Sequence, residues 1–217
     1  MSAQTSPALY PTTGEPIEVN ARRNRLGVWL CVVSDATGVV ALLIAYMYLW
    51  SLNVNNAWAP KGKNHWALDW PFWAIVAGTV LGTICMWWGV KGIAKGHTGR
   101  LMAGALLSSL IILVAFIGQI IQLSTFPFGP GDGAYASATF WLAIGTAIHL
   151  SLLTFLTTAI VGRTRAGRIT PGNHSHARFV AMWMTYVCVA ALLGAIFTTV
   201  MKESPNQNAP TFGTFQN

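Results

Sequence analysis

Apolar and polar residues in this chain fall into long alternating blocks. Five apolar stretches, at about 26 to 52, 72 to 93, 101 to 123, 135 to 161 and 178 to 201, are separated by shorter polar segments. Each is near or above the ~20 residues that a helix rising ~1.5 Å per residue needs to cross a hydrocarbon core ~30 Å thick. The pattern predicts an all-α integral membrane protein, a bundle of five transmembrane helices over 26 to 201. Residues 1 to 25 hold Pro7, Pro11, Pro16, Glu15 and Glu18 with no apolar core, so they read as a flexible tail and not as a secretory signal peptide. Residues 202 to 217 read as a second tail. Comparison of the five spans reveals no internal repeat, which weakens a transporter built from inverted repeats.

Composition agrees with the blocks: 53% of the 217 residues are hydrophobic and 9% charged, against about 25% charged in an ordinary soluble domain. The formal net charge of +7 raises the question of nucleic acid, but that partner needs basic residues along one face or stripe. Here ten of the thirteen Lys and Arg sit in three polar segments: Arg22, Arg23 and Arg25; Lys91, Lys95 and Arg100; Arg163, Arg165, Arg168 and Arg178. Those segments precede the first span and separate the second from the third and the fourth from the fifth. Under the positive-inside rule the N-terminus is cytoplasmic and the C-terminus outside. Trp50, Trp58, Trp66, Trp70 and Trp73 would then crowd the outer interface and Trp29, Trp87 and Trp88 the inner one, as aromatic belts do.

Within the spans chemistry is scarce. Asp35 is the one acid inside an apolar stretch, ~14 Å above Leu26 by helical rise, and an uncompensated carboxylate there costs roughly 3 kcal/mol on insertion scales. It must face a protein interior, a cavity or a partner, and with Ser34 and Thr37 nearby it is either a hydrogen-bonding node or a proton-exchanging group. His149 is the one histidine inside a span; it either braces neighbouring helices or handles protons. Haem bound by two histidines of this chain, or a copper centre, is therefore not expected. The Gly78-x-x-x-Gly82 and Ser34-x-x-x-Gly38 spacings are of the kind that lets membrane helices approach closely. Cys31, Cys85 and Cys188 all lie in spans without a Cys-x-x-Cys, so no disulfide framework is implied.

The loops add little. His174 and His176 form a His-x-His pair in the basic loop 163 to 177, weak as a metal site without a Cys or carboxylate nearby. The loop 53 to 71, with Trp58, Lys61, Lys63, His65 and Trp66, reads as a solvated interface loop. No phosphate-binding glycine loop, GxSxG or HExxH is present. No self-sufficient active site emerges.

Several short motifs carry a resemblance. Leu26, Gly27, Trp29 and Leu30, then Ser34-Asp35, then Ala45-Tyr46, resemble the start of the five-helix form of subunit III of haem–copper oxidases, where an acid follows a serine. Trp87-Trp88 and the run from Gly99 to Leu123 with Phe116 and Gln119 resemble its next two helices. Asp132, Tyr135, Ser137 and Phe140 resemble its D-x-x-Y-G-S-x-F-F segment, with Ala136 in place of the glycine. The chain departs from the family in having aspartate for its glutamate at position 35, and His149 alone where two histidines are usual. Of the Y-W-H-F-V-D that usually opens the last helix, only Trp183 is kept.

The resemblance implies a non-catalytic subunit that packs against the catalytic subunit I of a cytochrome c or quinol oxidase in a prokaryotic cytoplasmic membrane. Haem and copper would reside in partner subunits, phospholipid would be held between helices, and proton uptake and complex durability would be supported, with Asp35, Ser34 and His149 as the proton- or lipid-related residues. Three alternatives stay open: an accessory subunit of nitric-oxide reductase or another respiratory complex, a small proton or cation channel or transporter, and an assembly factor.

Overall fold

The computed structural model of the chain describes residues 17–60 and 66–206. Five long helices make up nearly all of it: α1 (Ile17–Leu52), α2 (Asp69–Ile93), α3 (Thr98–Ser124), α4 (Ala134–Arg165) and α5 (Ser175–Val200), with a single 3₁₀ turn, Val54–Asn56, after α1. All five are long and apolar enough to cross a membrane, so the protein is a multi-pass membrane protein. Lys61, Lys63 and His65, and most of both expected tails, lie outside the described residues.

Every helix begins before its apolar stretch, and α1 is the extreme case. Its apolar run starts at Leu26, but the helix starts at Ile17, so part of the expected flexible tail is helical. Apolarity marks only what lies in hydrocarbon, whereas Ala21, Arg22, Arg23 and Arg25 are good helix formers in any solvent. Arg23 Nη2 donates to Asn20 Oδ1 at 2.9 Å, one turn away. The far ends stop where the backbone turns left-handed: Gly96 has φ 88° just after α2 and Gly167 φ 68° just after α4, a conformation without steric cost only for glycine.

Helices α2, α3, α4 and α5 form a closed ring in which each contacts its neighbours and α5 returns to α2, while α1 lies outside it against α4 and α5. Small residues set the α2–α3 spacing. A Cβ on Gly78 would stand 3.3 Å from that of Ala115, one on Gly82 would meet Ile112 at 2.9 Å, and one on Gly104 would meet the Cys85 carbonyl at 2.6 Å. Gly78 and Gly82 thus lie close against α3, with Gly104 and Gly89 as the tightest backbone approach. Gly38 differs: nothing stands within 4 Å of its Cβ position. The face of α1 that packs runs through Asp35, Val39, Leu43, Tyr46 and Trp50, and positions 34 and 38 are each rotated about 100° from it.

Two apolar layers fill the ring. One, around Met86, Ile93, Leu101, Leu150, Leu153 and Met184, lies toward the basic end. The other, toward the opposite end, is aromatic: Tyr46, Trp58, Phe72, Phe128 and Tyr135 are buried there, with Trp58 edge-on to Tyr46 at 5.0 Å and to Tyr135 at 5.8 Å.

The segment after α5 closes this aromatic end as a strap. Its carbonyls accept from three indole or phenol groups: Met201 from Tyr46 at 3.2 Å, Lys202 from Trp58 Nε1 at 2.6 Å and Glu203 from Trp50 Nε1 at 2.7 Å. Asn53 Nδ2 donates to the Asn206 carbonyl at 2.7 Å, and Lys202 pairs with Asp69. Residues 202–206 of the expected C-terminal tail are therefore fixed against the bundle. The loop from 53 is not simply solvated either, since Asn53, Trp58 and Ala67 are buried. It is drawn inward because the α4 N-terminus needs acceptors: Ala134 N and Tyr135 N donate to the Ala57 and Trp58 carbonyls, both at 3.0 Å. For Trp58 the interfacial-belt expectation is replaced by a core role, while Trp70, Trp29 and Trp88 are exposed as a belt requires.

Candidate functional site

The ring and α1 meet at one polar node. Asp35 projects from α1 toward the groove between α4 and α5, where His149 Nε2–H donates to its Oδ2 at 2.8 Å. The Tyr186 hydroxyl, from α5, donates to the same oxygen. Two helices thus each donate one group to a single carboxylate oxygen of a third helix, and Oδ1 takes part in neither bond. His149 and Tyr186 are near the middle of α4 and α5, so the node sits well inside the apolar depth.

Local sequence explains each placement. Asp35 lies on the packing stripe of α1 described above, and Trp183 and Tyr186 are three residues apart on one face of α5. Those two rings flank the imidazole, at centroid distances of 6.4 Å and 6.2 Å. The walls are therefore aromatic on the α5 side. The Trp183 indole N–H is buried there without an acceptor. The histidine side chain is 12% exposed and that of the aspartate 35%, so the imidazole is the inner member and the carboxylate the outer one.

Of the expected site residues, the structure brings Asp35 and His149 together and leaves Ser34 out. Ser34 is exposed on α1, and Thr37 donates to the Val33 carbonyl of its own helix at 2.8 Å. Both are displaced from the packing stripe. Tyr186 escapes the sequence reading because it stands inside a span where the resemblance places other residues. A lone tyrosine at mid-span, far from either interface, is the signal that could have found it.

Chemically, a carboxylate, an imidazole and a phenol in contact can pass a proton over short distances, as intramembrane relays do. The same contacts can simply hold α1 to the ring. Other cross-helix polar contacts are bracing ones, among them Thr83 with Cys188 Sγ at 3.1 Å, Trp87 Nε1 to Thr185 at 3.0 Å, and Ser109 with Thr158 at 2.8 Å.

The His-x-His pair does not form a joint site. His174 precedes α5 and donates from Nδ1 to the Pro171 carbonyl at 2.8 Å, while His176 lies in the first turn of the helix and accepts from Arg163 at 2.6 Å. Among the described residues no three His, Cys, Asp or Glu side chains converge in a way that could hold a metal ion.

Compared with known proteins, the chain matches no protein-family model and has no significant match among curated proteins.

Proposed function

We propose that this protein is a non-catalytic membrane subunit of a respiratory haem–copper terminal oxidase in a prokaryotic cytoplasmic membrane. In this reading it packs against the catalytic subunit, holds lipid and supports proton uptake and complex durability. The observation that carries the reading is the Asp35–His149–Tyr186 node, because it joins the acid and the histidine that the motif resemblance singles out. A second feature supports a partner. Only 6% of the apolar window of α1 is buried within the chain, against 28 to 44% in the other four helices, which leaves α1 free to contact a larger subunit or lipid.

The test is purification of the tagged native protein in mild detergent, with an absorption spectrum and mass spectrometry of whatever accompanies it. Haem bands together with a large multi-histidine membrane subunit support the reading and name the complex, with nitric-oxide reductase as one outcome that would replace the oxidase. A colourless protein that purifies alone, in detergent that keeps respiratory complexes intact, overturns it. The node at mid-depth also favours a second reading, a small proton channel, which requires proton flux through vesicles containing this chain alone.

A further inference from the structure

Two adjoining clefts open between the basic ends of α1 and α5. One, of about 390 Å³, is lined by Arg22, Arg25, Leu26, Trp29, Arg178 and Met182. The other, of about 260 Å³, shares Arg22, Arg25 and Arg178 and adds Phe179 and the residues that open α5, His174 and Ser175. Among the described residues no acidic side chain lines either cleft. The ion pairs between described residues are those of Asp35 and Asp69, so these three arginines pair with no described carboxylate. The N-terminal end of α5, whose capping position supplies no side-chain hydrogen bond, adds its positive end to the same place.

Charge and depth together select the ligand. Guanidinium forks match phosphate oxygens bidentately, and three of them converge where the apolar run of α1 begins. Leu26, Trp29 and Met182 give the larger cleft an apolar lining beneath its basic rim, with a tryptophan at the depth where headgroups lie. Farther along α1, Leu30 and Val33 are about 60% exposed, a surface suited to an acyl chain. A free phosphate would use the rim alone and would gain nothing from the apolar lining.

We propose that Arg22, Arg25 and Arg178 seat the phosphate of an anionic phospholipid whose acyl chains lie along α1 below Trp29. This rests on the lipid-holding part of the proposed function, but it is independent of which complex the chain joins.

The experiment is native mass spectrometry of the full-length protein titrated with phosphatidylglycerol, phosphatidylcholine or inorganic phosphate. The expected result is preferential retention of phosphatidylglycerol, weakened roughly fivefold for each arginine replaced by glutamine, and not displaced by millimolar phosphate. Arg165→Gln, an exposed position outside both clefts, should leave retention unchanged, and Arg178→Lys should weaken it less than Arg178→Gln. Equal retention of phosphatidylcholine, or undiminished retention in the triple glutamine variant, overturns the proposal. Displacement by phosphate overturns the lipid in favour of a free anion. Should the triple variant fail to fold, the comparison of Arg178→Gln with Arg178→Lys decides the matter. None of these readouts involves haem or a co-purifying subunit, so failure here is separable from failure of the oxidase reading.

Discussion

His149 Nε2 lies 2.8 Å from Asp35 Oδ2 although 114 positions separate the two residues in the chain. Each is the sole residue of its kind in an apolar span, and each resolves the burial problem of the other. The contact adds to the buried Leu43 and Tyr46 side chains in holding α1 against the ring.

That role is measurable. In a double-mutant cycle of unfolding with Asp35→Asn and His149→Ala, the coupling should be near ~0.6 kcal/mol and below ~2 kcal/mol, as for other polar contacts between membrane helices. A coupling of zero would mean that the pair does not fasten α1.

If the node also serves proton uptake, Asp35→Asn should leave assembly intact while slowing turnover of the assembled complex or shortening its working life. Tyr186→Phe removes one donor to Asp35 but keeps the carboxyl group itself, so its effect should be the smaller. Normal turnover and normal inactivation in Asp35→Asn would remove the residue from the mechanism, and lower yield with normal turnover per complex would assign it to assembly.

The α2–α3 crossing gives a contrast between glycines. Gly104→Ala would drive a Cβ to 2.6 Å from the Cys85 carbonyl and 2.8 Å from Gly89 Cα, a backbone clash expected to cost about 1–3 kcal/mol. Gly38→Ala meets nothing within 4 Å and should be neutral or stabilising by up to about 1 kcal/mol through helix propensity. Thermal unfolding in detergent compares the two. Equal effects would contradict the packing described.

The strap is open to a truncation test. Ending the chain at Met201 removes the Lys202 and Glu203 carbonyls that accept from Trp58 and Trp50; Trp58 is buried, and a buried donor left unpaired costs about 1–3 kcal/mol. Limited proteolysis between 53 and 60, where the Asn53 and Trp58 side chains are buried in the full chain, should then become faster. Unchanged protection would show that the strap is dispensable.

Within the strap, Lys202 and Asp69 should respond unequally. The Asp69 side chain is 53% exposed, so Asp69→Asn should cost less than about 1 kcal/mol, as exposed ion pairs do. Lys202→Met should cost more, because Lys202 Nζ also donates to the buried Ala67 carbonyl at 3.1 Å. A chemical-denaturation series on both variants checks the order.

Much of the fold is written in the sequence because lipid imposes a simple rule: a chain in hydrocarbon must satisfy its backbone internally, so each long apolar block becomes a helix. The five spans, the clustering of basic residues in alternate connections, and Asp35 and His149 as the polar exceptions all follow from local composition. The small residues on α2 are legible too, since Gly78 and Gly82 share a helix face whatever the partner. Gly38 shows the limit of that reasoning. A small-residue spacing says that a close approach is allowed, and only the rotation of α1 against α4 and α5 decides that the stripe from Asp35 to Trp50 is the one used.

What the tertiary structure decided is which distant groups meet. Asp35 could have faced Ser34, water or another subunit; the antiparallel pairing of α4 with α5 beside α1 is what places His149 and Tyr186 on one of its oxygens. Trp58 is legible as an interfacial tryptophan, yet it is buried because the strap after α5 offers its indole a carbonyl. Likewise Arg22 and Arg25 share only a side of the membrane with Arg178 until α1 packs beside α5. Sequence sets which segments enter the hydrocarbon, a local balance of transfer energies. The rotation and neighbour order of the helices depend on contacts between residues more than a hundred positions apart, and no local pattern carries that information.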